Sequence, residues 1–213
     1  MAIFDDAIKQ QLSELLKSLE NDVTIHFFSQ EMECGTCKDA REFLNEFMEL
    51  SDKLHLKNYE FVKDKEKSEA FGIDKIPAIV VTDKDDKNRG VKFYGIPAGY
   101  EINSFIASLM EASGKSEALP EDIKKRIEAI NKKIHIQVFV TLSCPYCPQA
   151  VATAHRLAYE NDNISADMVD SSTFFYLANK YNIQGVPKVI INETHTMEGA
   201  QPITEFLNVL EKI

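Results

Sequence analysis

The 213-residue chain is short of several things, and each shortage excludes a class of protein. No stretch approaches the roughly 18 consecutive apolar residues of a membrane-spanning helix, so no spanning segment is expected. Basic residues are outnumbered, 24 Lys and Arg against 34 Asp and Glu, and the formal charge of −10 leaves no excess to displace counterions from phosphates. Neither a nucleic acid nor a membrane is therefore expected as a partner. Glycine and proline total only 8 and 7 residues, which excludes collagen-like and low-complexity chains. No glycine-rich phosphate loop is present, so no bound nucleotide or flavin is expected. The start of the sequence, MAIFDDAIKQQ, has acids where a secretory leader has a basic segment, and no apolar core follows. A cytoplasmic location is the expectation.

Only four cysteines occur, too few and too closely paired for a disulfide-stapled secreted scaffold. They form Cys34-Gly35-Thr36-Cys37 and Cys144-Pro145-Tyr146-Cys147, with none left over. Two chemistries use such pairs: a redox dithiol at each, or one four-thiolate zinc site shared by both. Zinc ribbons usually place their cysteine pairs roughly 15–20 residues apart on short turns. Here 106 residues intervene. Each pair also follows a strand-like run, Val23–Phe28 or Ile134–Val140, and precedes apolar residues at helical spacing, from Ala40 to Met48 and from Ala150 to Ala158. A strand, a dithiol and an amphipathic helix in that order is redox context.

The two halves repeat. Cys34 and Cys144 are 110 positions apart, and Phe71–Val81 aligns with Tyr181–Ile191 at the same offset. In each half 43 positions separate the first cysteine from a proline, Pro77 or Pro187. The strand before the first dithiol sits one residue out of this register, consistent with a short loop insertion near Gln30–Glu33. A period this long denotes a duplicated domain. Small and polar residues with a proline, Ala112 to Pro120, mark the expected division into domains 1–115 and 116–213. The expected elements of the first half are helix 5–19, strand 22–28, helix 35–50, strand 56–62, helix 65–71, strands 77–82 and 91–95 and helix 101–112. Those of the second are helix 120–131, strand 134–140, helix 145–160, strand 164–169, helix 172–181, strands 187–192 and 195–198 and helix 203–212. The polar segment Asp83–Gly90 joins two strands as a hairpin loop.

Strand, Cys-x-x-Cys at a helix start, and a β-branched residue before proline some forty positions later resemble the thioredoxin fold. The fold class read here is α/β: two tandem thioredoxin-fold domains, each a central mixed sheet flanked by helices. Cys144-Pro145-Tyr146-Cys147 matches the dithiol of glutaredoxins, and the whole chain resembles the protein disulfide oxidoreductases of archaea and bacteria, with Pro148 after the second dithiol and Gly95-Ile96-Pro97-Ala98-Gly99 as further points of likeness. The resemblance implies a thiol–disulfide oxidoreductase that reduces, forms or isomerises protein disulfides and needs no cofactor beyond its own cysteines. It also implies cis bonds at Ile76–Pro77 and Val186–Pro187, which with Tyr146 contact the substrate, and an external reductant, an NADPH-dependent flavoenzyme of the thioredoxin-reductase type. Cys34 and Cys144, at helix starts where free N–H groups stabilise a thiolate, are expected as nucleophiles. Cys37 and Cys147, expected one turn inside the helix, are the resolving thiols. An alternative is a dedicated electron-transfer module for one flavoprotein reductase or peroxidase, as in alkyl hydroperoxide reductases, where only one half usually keeps its dithiol. A zinc-stabilised binding protein is the alternative from another class.

Several residues need separate expectations. Glu31, Glu33, Asp39 and Glu42 surround Cys34, while Lys188 follows the second proline, so Cys144 is expected to be the more acidic thiol. Thioredoxins carry a buried acid six positions before the nucleophile; Phe28 and Val138 stand there, and the sequence names no substitute. Met197-Glu198-Gly199-Ala200 lacks the Gly-Gly of glutathione-binding glutaredoxins. His26 and His135 read as hydrogen-bonded structural residues on strands, and Phe27, Phe28, Phe43, Phe47, Phe61, Phe174 and Phe175 read as core.

Overall fold

The structure is a computed structural model that describes residues 3–213. Met1 and Ala2, with which the expected first domain begins, lie outside the described residues. Among the described residues two compact units are present: 3–88 with Tyr94–Ile96 and Leu109–Ser116, and Arg89–Phe93 with Pro97–Ser108 and Glu117–Ile213.

In the first unit, α1 (Asp6–Leu16) opens on Asp5, whose carboxylate accepts the Ile8 N–H at 2.8 Å and fills one of the unpaired donors of the first turn. Strand β1 (Val23–Ser29) pairs in parallel with β2 (Leu54–Glu60) and antiparallel with β3 (Ala78–Thr82), so the mixed sheet is ordered β2-β1-β3. Helix α2 (Cys37–Met48) buries Ala40, Phe43, Leu44 and Phe47, the three- and four-residue spacing that puts a single apolar stripe on the sheet. A short helix, α3 (Lys65–Ala70), leads to the Ile76–Pro77 bond, which is cis. Strand β4 spans Asn88–Tyr94, so the polar hairpin loop is shorter than Asp83–Gly90. The 3-10 turn Gly99–Glu101 and helix α4 (Ile102–Ser113) as far as Ser108 belong to the second unit, as do Arg89–Phe93 of β4, and the end of α4 belongs to the first.

The second unit repeats the plan. Helix α5 (Glu121–Glu128) precedes β5 (Ile134–Val140), which pairs in parallel with β6 (Ile164–Asp170) and antiparallel with β7 (Lys188–Ile191); β8 (His195–Glu198) adds to β7. Helix α6 (Cys147–Glu160) buries Ala150, Val151, Ala154, Leu157 and Ala158. The short α7 (Phe175–Lys180) leads to Val186–Pro187, also cis, and α8 (Ile203–Leu210) ends the chain on a face of Phe206, Leu207 and Leu210.

The register slip has a visible cause. Four residues, 30–33, join Ser29 to Cys34, whereas three, 141–143, join Val140 to Cys144. The longer link takes Glu33 into the left-handed region at φ 59°. Among the described residues, no helix is long and apolar enough to cross a membrane.

Candidate active sites

Each dithiol lies in the turn between a central strand and the helix behind it. Cys34 and Cys37 are disulfide-bonded with Cα atoms 5.4 Å apart, and Cys144 and Cys147 likewise at 5.5 Å. Regular helix begins at the second cysteine of each pair, so Cys37 and Cys147 are the first helical residues and do not lie one turn inside. The intervening pairs, Gly35-Thr36 and Pro145-Tyr146, form the turn that carries the first sulfur in front of the helix N-terminus. There the N–H groups of the first turn have no partners within the helix and favour negative charge. Cys37 and Cys147 are buried; Cys34 is half-buried and Cys144 is 7% exposed.

The proline junctions lie at the same end of the sheets. Strand β3 runs against β1, so its start at Ala78 lies beside Phe28; β7 runs against β5, so Lys188 lies beside Phe139. The Sγ of Cys144 is 3.8 Å from the Val186 carbonyl oxygen, which places that residue directly against the sulfur. Pro77 and Pro187 are buried, Ile76 and Val186 half-buried, and Tyr146 is 69% exposed. Gly95 N–H donates to the Pro77 carbonyl at 3.1 Å, and Gly199 N–H to the Pro187 carbonyl at 2.9 Å, so each proline is tied to the strand beyond it.

The charged residues singled out around the two dithiols are exposed or paired. Glu31 and Glu33 are exposed, where water and salt screen them. Lys188 directs its ammonium to Glu198, 3.6 Å away on the neighbouring strand. His26 is buried and bonded to Asp86 at 2.7 Å, Thr82 at 3.0 Å and Tyr59 at 3.3 Å. Burial pushes its pKa down, and the Asp86 carboxylate works against that. His135 bonds to Asp167 at 2.5 Å. Both are structural residues.

Sequence reasoning missed Glu101. It ends the 3-10 turn packed on α6, and the same turn is anchored to the link before Cys144: Tyr100 N–H donates to the Leu142 carbonyl at 3.0 Å. Glu101 is fully buried. One carboxyl oxygen accepts from the Ser104 hydroxyl; the other, Oε1, has no hydrogen-bond partner among the described residues. Burial pushes this carboxyl up to about 7, with the Asp170 charge adding and the Ser104 hydroxyl holding it down. No spacing rule ties position 101 to position 144, and only the packing of the turn brings them together.

Phe175 departs from the core assignment. Phe27, Phe28, Phe43, Phe47 and Phe174 are buried and Phe61 is half-buried, but Phe175 is 65% exposed. Among the described residues no group of three or more His, Cys, Asp or Glu side chains is arranged to hold a metal ion.

Comparison with known proteins agrees with this geometry. The model of the thioredoxin domain family matches residues 134–212. A variant of the F component of alkylhydroperoxide reductase from Enterococcus faecalis is 32% identical, covering 98% of this chain and 100% of that one, with a TM-score of 0.92. A protein disulfide oxidoreductase from Aeropyrum pernix is 28% identical over 99% of this chain and 94% of its own, with a TM-score of 0.90. The F component of alkyl hydroperoxide reductase from Staphylococcus aureus is 27% identical over 203 residues, 95% of this chain. The chain spans 37% of the length of the curated relatives it matches. Two helix-start dithiols, a strand plan of one parallel and one antiparallel neighbour repeated in each half, and these likenesses converge: the chain belongs to the tandem thioredoxin-fold family of protein disulfide oxidoreductases, which work through redox-active Cys-x-x-Cys sites.

Proposed function

We propose that the chain carries electron pairs between a flavoprotein reductase and disulfides of protein substrates in the cytoplasm, each of its domains, 1–115 and 116–213, contributing one dithiol. The observation that carries this reading is the placement of both dithiols at helix starts beside a proline junction, with Cys144 against Val186. Cys34 and Cys144 are the nucleophiles. In the reducing direction the Cys144 thiolate attacks one sulfur of a substrate disulfide, forming a mixed disulfide, and the other substrate sulfur leaves as a thiolate. Cys147 then loses its proton, and its thiolate attacks Cys144 Sγ. The second substrate thiolate leaves, the substrate has gained two electrons, and the site is a disulfide again. The Cys147 proton is assigned to Glu101, whose buried, half-satisfied carboxyl ends the turn that packs on α6, the helix that Cys147 begins. Ile76, Pro77, Val186 and Pro187 offer backbone edges to an extended substrate, and Tyr146 flanks it. The reductant is an NADPH-dependent flavoenzyme of the thioredoxin-reductase type, which returns each disulfide to a dithiol.

The likeness to the F component of alkylhydroperoxide reductase favours a second reading, in which the chain passes electrons to a dedicated peroxide-reducing partner. Dithiothreitol-driven insulin reduction separates the two. With wild type, Cys34→Ser and Cys144→Ser, we expect turnover by wild type and its loss in Cys144→Ser. No turnover by wild type overturns the general oxidoreductase reading in favour of the dedicated partner.

A further inference from the structure

The two dithiols are alike in geometry and opposite in surroundings. Three segments frame each one: the dithiol turn, the link after the second parallel strand, and the approach to the proline. Parallel pairing puts the first two at one sheet edge, since Val140 is in register with Asp170 and Ser171 N–H donates to the Val140 carbonyl at 2.9 Å. Antiparallel β7 starts at the same edge and brings the third. Around the first dithiol these segments are 31–39, 61–67 and 72–77, and they hold eleven charged residues. An open groove of about 670 Å³ is lined by Glu31, Glu33, Arg41, Glu60, Lys63 and Asp64, from the first two of these segments and the residues next to them. The 22 equivalent positions around the second dithiol, 141–149, 171–177 and 182–187, hold none. At the chain's 27% charged content about six would be expected there.

Aromatic side chains stand in their place. Tyr146 occupies the position of Thr36, Phe175 that of Lys65 and Tyr176 that of Glu66. They are 69%, 65% and 52% exposed, and Tyr176 rests edge-on against buried Phe174. Exposed aromatics on a rim without charge mark a surface that becomes buried when occupied. Any substrate must bring its disulfide to Cys144, which lies in the first of these three segments at the shared end of the strands. A charged residue beside the substrate cysteine would lose water there, and the charge that follows the proline, Lys188, is already paired with Glu198.

We propose that the rim of the second dithiol is a docking face for an extended, uncharged and apolar segment flanking a partner protein's disulfide cysteine, anchored on Phe175, Tyr176 and Tyr146. This rests on the oxidoreductase reading above and adds which partners the second site selects. The mixed disulfide forms on Cys144 as already described, and docking acts by holding the partner sulfur at that atom.

The test uses the full chain with Cys34→Ser and Cys37→Ser, reduced by dithiothreitol and desalted, in single-turnover exchange with two disulfide peptides. The peptides are identical except that Phe and Leu flank one cysteine in the first, and Lys and Glu in the second. We expect the apolar peptide to be reduced faster by about tenfold, about 1.4 kcal/mol, which is part of what burying one aromatic side chain yields. Phe175→Lys with Tyr176→Glu, which copies the first site, should bring the ratio to near one, while Phe175→Leu should keep most of it. Should the double variant fail to fold by circular dichroism, the milder Phe175→Ser serves, with a ratio reduced at least threefold expected. A ratio near one in the parent protein, or one unchanged in the variants, overturns the docking face. So does a dimer in sedimentation that Phe175→Lys dissolves, because a second copy would then be the occupant. Exchange with hydroxyethyl disulfide, which has no flanking residues, keeps the two ideas apart. Failure there removes the oxidoreductase reading itself, whereas exchange there without peptide preference removes only the docking face.

Discussion

A single buried carboxyl sets the pH behaviour expected of the second site. Glu101 has a value of about 7 in the folded chain against 4.5 ordinarily. Between those values the folded protein holds a proton that the unfolded chain has lost. Stability is therefore greatest below about pH 4.5 in this respect, falls as pH rises to about 7, and is level above it. Glu101→Gln removes the fall and should stabilise the protein by up to about 3 kcal/mol at pH 8, read as the difference between urea unfolding curves at pH 5 and pH 8. The same substitution should slow resolution of the mixed disulfide on the order of tenfold to a hundredfold. It should also abolish an inflection near pH 7 in the rate. An unchanged pH–rate profile would remove Glu101 from the proton transfer while leaving the stability prediction intact.

At the level of the element, the 3-10 turn that presents Glu101 depends on one glycine. Gly99 has φ 58°, and a Cβ there would run into the Leu142 carbonyl oxygen, a backbone atom that cannot swing aside. Gly99→Ala should cost about 1–3 kcal/mol in chemical denaturation, from the left-handed backbone and the displaced contact. Because the turn carries Glu101, the variant should also shift the pH inflection of exchange at the second dithiol. A loss of stability with an unmoved inflection would mean that the turn holds the fold but not the acid. The dithiol helices, by contrast, follow from spacing alone. Apolar residues at three- and four-residue intervals in α2 and α6 leave each helix one face to bury. The point at which helix begins was less legible, because the four-residue disulfide ring occupies the turn that would otherwise be the first of the helix.

At the scale of the whole molecule, the proposed cycle has a flavoprotein reductase return electrons to the cysteines. With a purified thioredoxin-reductase-type flavoenzyme, NADPH oxidation in the presence of insulin should require the chain and vanish when all four cysteines are serine. Oxidation that proceeds only when a peroxide-reducing enzyme replaces insulin would favour the dedicated module. The duplication, the dithiols, the strand and helix order and the one-residue slip near Gln30–Glu33 were all legible in the sequence. Each is a matter of spacing along one chain, and spacing is what periodicity reports. The sequence alone read Phe175 as core, and it did not single out Glu101. Both depend on contacts between segments far apart in the chain. Glu101 is 43 residues before Cys144 and reaches its surroundings through a turn packed on α6, while Phe175, the first residue of α7, is exposed and its neighbour Phe174, at the cap of that helix, is buried. Local pattern determined which elements form and where the sulfurs sit; tertiary packing decided which carboxyl lost its water and which aromatic kept it.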